Sequence, residues 1–347
     1  MNMHMPGVLS ALTISHHGLF RLATFSTKLI RRKLSPIMRS DKPSVVLLIF
    51  AGVITCLTWP LAALLWFRLG EKALGISIFG LGLSLGPCLA AYAIVPRARK
   101  QRARCVVLFV GGLSVIAFSL VGAVNLDMEG FFALVFAGTM GAAIGHNLVT
   151  VIVGPMLFGR LLCGWGCWRS MILELLPINP STGRRRGAWR FLVFVGLAVT
   201  IGIAALSVFV LGYRARGNSG ALHSASVGLI AIGFGIYYAA SVGLAFALKD
   251  QRAFCKYLCP NSAILRVTSR LSLLKMGTNG NLCNDCGACS KVCPMDIDVA
   301  KSAALGRPVA SGDCILCQRC AHACATGALG LTVGPDMGPQ TPFIFRA

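Results

Sequence analysis

The chain has 347 residues, a formal net charge of +22, 56% hydrophobic residues and 13% charged ones. With a mean hydropathy of +0.74, this composition excludes an ordinary soluble globular protein. In a soluble chain so large a positive excess would point to nucleic acid, but no recognition motif for it is present, so nucleic acid is not an expected partner. Most of the charge lies beside apolar stretches, where topology and anionic lipid account for it.

In chain order, residues 1–43 form a basic arm predicted to be cytoplasmic. Its Leu19, Phe20, Leu22, Phe25, Leu29 and Ile30 alternate with Arg21, Lys28, Arg31 and Arg32, as in a helix lying on a membrane surface. The apolar run that follows starts too late and is too long for a cleaved signal peptide. Six stretches, 45–67, 74–95, 105–124, 131–157, 191–211 and 227–248, carry no formal charge in their interiors. A helix needs roughly 20 residues to cross a hydrocarbon core of about 30 Å, and each stretch meets that length. All are predicted to be helices, because only helices and closed barrels satisfy backbone polar groups in lipid. Gly80, Gly82 and Gly86, like Gly138, Gly141 and Gly145, suit close helix packing, and Pro60 and Pro87 suit kinks.

Lys and Arg set the expected orientation. Segments 21–42, 97–104 and 160–190 hold eighteen of them, whereas the opposite loops hold only Arg68, Lys72, Arg214 and Arg216. Cytoplasmic loops keep such charge, so both termini are expected in the cytoplasm of a bacterial inner-membrane protein.

Two pairs of cysteines follow the fourth and sixth stretches: Cys163 with Cys167 in GRLLCGWGC, and Cys255 with Cys259 in CKYLCP. Residues four apart share a helix face, so each C-x3-C segment aims two sulfurs one way. Arg160, Arg169, Arg252 and Lys256 beside them favour thiolate. The four together suit a third iron–sulfur cluster or other metal centre, a redox-active thiol set, or simple packing. Cys56, Cys88 and Cys105 read as small buried residues.

Cys283, Cys286, Cys289 and Cys293, followed by Pro294, then repeat as Cys314, Cys317, Cys320 and Cys324. The run C-x2-C-x2-C-x3-C-P is the bacterial signature for two [4Fe-4S] clusters, in which the fourth cysteine of each run ligates the other cluster. The expected sets are Cys283, Cys286, Cys289 and Cys324, and Cys314, Cys317, Cys320 and Cys293. Zinc sites lack this triplet spacing.

GRLLCGWGC, the later CKYLCPNSAILRVTSRLSLLKM and the double run together resemble the membrane-bound polyferredoxins related to NapH, MauN, NosR and CcoG. The resemblance is specific over 154–328, and the layout is nearest NapH with two further spans. It implies an inner-membrane electron-transfer protein with cytoplasmic clusters, serving quinol-linked respiration or metalloenzyme upkeep. Two departures stand out: Trp168 after Cys167, and Ala325 after Cys324, where the family has proline.

The fold class expected is an all-α polytopic membrane bundle of six transmembrane helices with a C-terminal α+β ferredoxin domain. Helices one to four fall in 44–158, the first C-x3-C loop in 159–188, and helices five and six in 189–248. A juxtamembrane segment with the second pair occupies 249–277, the ferredoxin domain 278–331 and an unanchored tail 332–347. The expected function is electron transfer between the quinone pool and a redox partner protein. A maturation factor that reduces metal or thiol through the C-x3-C pairs, and a redox sensor, are the alternatives. Quinol oxidation needs proton acceptors, and His146, Asp127 and Glu129 are the candidates, the last two read as charges of an outer loop. His223 falls in an outer loop and offers no haem partner to His146.

Overall fold

The computed structural model describes residues 45–178, 183–185, 187–210, 212, 220–333 and 345–346. The basic arm and most of the tail lie outside the described residues. Helix α1 (Val45–Phe67) packs on α2 (Lys72–Leu83), which continues through a wide turn at Ser84–Cys88 into α3 (Leu89–Ile94). That turn contains Pro87, whose missing N–H an α-helical ladder cannot use. Helix α4 (Arg97–Val121) packs on α2. The glycines of α2 and its wide turn make these approaches possible: a Cβ at Gly82 would lie 2.1 Å from Thr58 Oγ1, and one at Gly86 2.0 Å from Thr55 Oγ1.

Among the described residues, five helical runs are long and apolar enough to cross a membrane: Leu47–Phe67, Leu74–Ile94, Arg97–Val121, Leu192–Phe209 and Val227–Leu248. The stretch 131–157, expected as one further span, is divided. Helix α5 (Met128–Phe136) stops before 137–141, where Gly138 adopts φ +64°. The chain resumes as α6 (Ala142–Asn147), a wide turn at Leu148–Val153 and α7 (Gly154–Phe158). Two glycines in five residues end the first helix, and Pro155 disturbs the ladder of the second. Apolarity alone reveals neither event.

A second difference concerns the segment after α7. Helices α8 (Leu161–Trp165) and α9 (Trp168–Leu173) were expected in a surface loop, yet Trp168 packs against Ile230 and Phe234 of the later helix Gly220–Leu248. A Cβ on Gly112 would meet the Trp168 Cα at 2.9 Å. Gly112 lies fifteen residues along α4 from Arg97, about 22 Å at 1.5 Å per residue. The first cysteine pair is therefore carried up into the bundle.

Helices α10 (Leu192–Phe209) and α11 (Gly220–Leu248) complete the bundle, and α12 (Ala253–Tyr257) and α13 (Pro260–Thr268) lead out of it. His223 falls within α11. The last module has strand β1 (Leu274–Thr278) antiparallel to β2 (Leu329–Val333), with Leu274 opposite Val333 and Thr278 opposite Leu329. The tail was expected to be unanchored, but β3 (Phe345–Arg346) pairs with Leu331 and Gly330. Met276, Met295, Val299, Val309, Ile315 and Leu329 form the core around the cysteine runs.

Candidate functional site

Each cysteine run of the C-terminal module bends the same way. Asp285, Gly287 and Asp296 have φ of +53°, +69° and +54°, and Leu316, Gln318 and Gly327 at the matching positions have +51°, +59° and +68°. Such left-handed residues turn successive backbone N–H groups inward, a concavity that suits anionic sulfur. Ala328 N donates to Cys324 Sγ at 3.3 Å, so the run closes normally although Ala325 stands where proline was expected.

The eight thiols sort into two groups. Burial, then the charges of Cys317, Cys314 and Cys293, push the Cys320 thiol far up. Cys314 is pushed up to about 12 by burial and then by Cys317 and Cys293, although the Leu316 N–H opposes this. In the other group, Cys289 and Cys283 are raised by burial and both face Cys324. Cys286 is exposed beside them. A cavity lies between Cys293, Cys314, Cys317 and Cys320, walled by Met276, Met295 and Val309. Crowded, mutually repelling thiolates around a cavity suit an iron–sulfide core, whose positive charge relieves the repulsion.

The two C-x3-C pairs are built alike. Cys163 is the third residue of α8 and Cys255 the third of α12; Cys167 and Cys259 are extended residues preceding α9 and α13. Trp168 takes the first helical position that Pro260 takes in the second copy, so the missing proline leaves the turn intact. All four thiols converge. Cys259, pushed up to about 12 by burial against the pull of Arg169, also senses Cys255, Cys167 and Cys163. Among the described residues, no three His, Cys, Asp or Glu side chains close on a point as a single bound ion requires. A four-iron core holds its thiolates farther apart, because iron and sulfide stand between them.

Contact between the two sites is tight. Cys163 and Leu161 pack on the core that holds Cys289, Cys293 and Cys317. Trp165 Nε1 donates to Leu316 O at 3.0 Å, and a Cβ on Gly164 would lie 2.3 Å from Ile315 O. Tyr92 of α3 reaches the same module, its hydroxyl 3.2 Å from both Gln318 Oε1 and His322 Nε2.

Two carboxylates that sequence reasoning missed lock the arrangement. Glu174, its side chain 1% exposed, pairs with Arg104 at 2.9 Å and with Arg252 and Arg319. Asp313 pairs with Arg160 at 3.1 Å, Arg184 at 2.5 Å and Arg266 at 2.8 Å. The guanidiniums hold both acids below the usual carboxylate range despite burial. Buried Lys256 bridges Asp250 at 2.6 Å and Asp296 at 2.5 Å. With only eleven acidic residues in the chain, an acid inside an apolar run such as MILELLP was the available signal.

Asp127 and Glu129 are not charges of an open outer loop. The chain between α4 and α5 folds back into the bundle, where Asn147 Nδ2 donates to Leu126 O at 2.9 Å. Asp127 is buried and bonds Arg169 Nη2 at 2.8 Å. Burial pushes its pKa up to about 6 against the pull of Arg169. The Arg169 guanidinium lies 4.5 Å from the Trp168 ring and 4.1 Å from that of Tyr237. Tyr237 donates its hydroxyl to Glu129, as does Thr200 at 3.4 Å. His146 is half-buried on α6, and among the described residues no hydrogen bond joins its ring to either acid.

The architecture is that of an apolar helical bundle bearing a C-terminal ferredoxin module with two cysteine runs. A family model for a 4Fe-4S dicluster domain matches residues 282–329. The chain is 35% identical over 193 residues to the methylamine utilization ferredoxin-type protein MauN of Paracoccus denitrificans, covering 52% of this chain and 63% of MauN. It is 29% identical over 197 residues to YccM of Escherichia coli, whose name assigns it to electron transport, covering 51% of this chain and about half (52%) of YccM. An uncharacterized protein of Methanocaldococcus jannaschii is 24% identical over 216 residues, covering 57% of this chain and 82% of its own. No solved structure matches significantly. Over these stretches the chain is similar to membrane ferredoxin-type proteins, one of them named for electron transport.

Proposed function

We propose that the protein carries electrons between the quinol pool of a bacterial inner membrane and a redox partner on the cytoplasmic side. Cys283, Cys286, Cys289 and Cys324 would hold one [4Fe-4S] cluster, and Cys314, Cys317, Cys320 and Cys293 the other. When bound, such clusters take up and release electrons singly. The observation that carries the reading is the seating of Cys163, Gly164 and Trp165 on Ile315 and Leu316, which sets the four-thiol site inside the bundle directly against the second cysteine set. Exposed Cys286 offers a point where a partner could approach the module. The excess of Lys and Arg at the module's end of the bundle supports the cytoplasmic orientation.

Quinol gives up two protons with its two electrons. Asp127 and Glu129, joined through Arg169 and Tyr237 beside the four-thiol site, are the side chains proposed to receive them. The test is anaerobic mixing of the purified full-length protein with a reduced quinol analogue while cluster absorbance is followed. Bleaching within the mixing experiment supports the relay. Bleaching by dithionite but never by quinol sinks it and favours a maturation factor.

A further inference from the structure

We propose that Cys163, Cys167, Cys255 and Cys259 hold a third [4Fe-4S] cluster, with the Nε–H groups of Arg160, Arg169 and Arg252 directed to its sulfurs. The inference rests on the relay reading only for the part this cluster plays in electron flow.

Three observations lead there. The first is a hidden repeat, R-x2-C-x3-C-x2-S, read once as Arg160, Cys163, Cys167 and Ser170 and again as Arg252, Cys255, Cys259 and Ser262. Its copies brace one another crosswise: Arg160 Nη2 donates to Ser262 Oγ at 2.7 Å, and Arg252 Nη1 donates to Ser170 Oγ. Two like halves thereby present two cysteines each to a common centre, a symmetry that suits four equivalent thiolate ligands.

The second observation is a set of unsatisfied donors. Arg160, Arg169 and Arg252 are 2%, 3% and 0% exposed, and their Nη groups are engaged by serine or carboxylate. Yet the Nε of all three is buried without an acceptor. Native interiors rarely leave such a donor unmet, and three in one place point to a missing acceptor. The groups beside them are the thiols: Arg160 lies by Cys163 and Cys259, Arg169 by Cys259 and Cys167, and Arg252 by Cys255. A neutral thiol or a disulfide accepts weakly. Thiolate and sulfide carry the charge that makes a guanidinium donor bond strong.

The third is the balance of charge. The Glu174 and Asp313 hubs set six guanidiniums against two carboxylates around these centres. That excess offsets the negative charge of a tetrathiolate cluster. Among the described residues no three of these side chains close on a point as a single soft ion requires, which favours the larger core.

The test uses the full-length protein purified anaerobically in detergent, with iron and sulfide quantification, EPR and redox titration. Three cubanes give about twelve irons per chain and two give about eight. The parent is expected near twelve, and Cys163→Ser with Cys255→Ser near eight with both ferredoxin signals unchanged. A parent near eight, a double variant that keeps every iron, or loss of one non-iron metal overturns the proposal. If the double variant does not accumulate, Arg252→Lys keeps the charge but lacks Nε; a shift in one of three reductive steps supports the assignment, and an unchanged titration overturns it. Quinol reduction measured on the same samples separates the ideas: twelve irons without quinol bleaching leaves the cluster standing and sinks the relay, and eight irons with bleaching does the reverse.

Discussion

Replacing Glu174 with Gln keeps the shape of the side chain and removes the one negative charge shared by Arg104, Arg252 and Arg319. Each pair at about 4 Å is worth roughly 4 kcal/mol at an effective dielectric of about 20, so three pairs set a gross ceiling near 12 kcal/mol. Mutual repulsion of the guanidiniums and the desolvation of Glu174 reduce that figure; removing one partner of a buried ion pair costs about 3–5 kcal/mol. Arg104 belongs to α4, Arg252 precedes α12 and Arg319 lies in the module, so the loss falls on docking of the module to the bundle. At about 1.4 kcal/mol per factor of ten, local opening rises roughly 100- to 4,000-fold. Limited proteolysis of the detergent-solubilised protein, with iron content measured in parallel, reads this out. Glu71→Gln, at an exposed position, is the control. Parental cleavage rates and full iron content in Glu174→Gln would refute the claim that this carboxylate holds the module in place.

Asp313→Asn is expected to loosen the other hub by a similar about 3–5 kcal/mol, seen as faster proteolysis near 311–314. Both acids sit below their ordinary values when folded, so their contribution is complete above the unfolded pKa of about 4 and fades as pH falls further; docking should survive pH 5 and fail progressively in stronger acid. Asp127, pushed up to about 6, should show a protonated-carboxyl infrared band at pH 5 that vanishes by pH 7.5 and is missing in Asp127→Asn. Asp285 Oδ1 lies 3.5 Å from Cys283 Sγ at an exposed turn, so Asp285→Asn should make one cluster easier to reduce by about 1 kcal/mol or less and leave the other unmoved.

The cysteine spacings were legible because iron–sulfur ligation constrains short-range sequence, such motifs drawing three ligands of a cluster from one tight turn. The likeness of the two C-x3-C segments was legible from their equal spacing. What escaped was long-range. Glu174 and Asp313 are single acids whose partners come from segments up to 153 residues away in the chain, as Arg160 is from Asp313. Asp127 read as a loop charge because apolar counting places every polar connection at a membrane surface, whereas this connection folds back onto Arg169. Likewise 131–157 met the length of a span, and only Gly138, Gly141 and Pro155 hinted that its ladder would break. The rise of Trp168 into the bundle had no local signal beyond its replacing a proline.

Strand β1 begins at Leu274, only five residues after Ser269, whose hydroxyl donates to Gly312 O at 3.0 Å. The sheet that closes the module is thus woven from the segment leaving the bundle, with no free tether between them. A soluble fragment cut at 278 would lack its first strand, and the module cannot swing like a carrier arm from one docking station to another. Under the proposed relay, electron exchange with a partner would depend on that partner's own diffusion and fit, and grafting this module onto another membrane anchor would require transplanting α8, α12 and α13 with it.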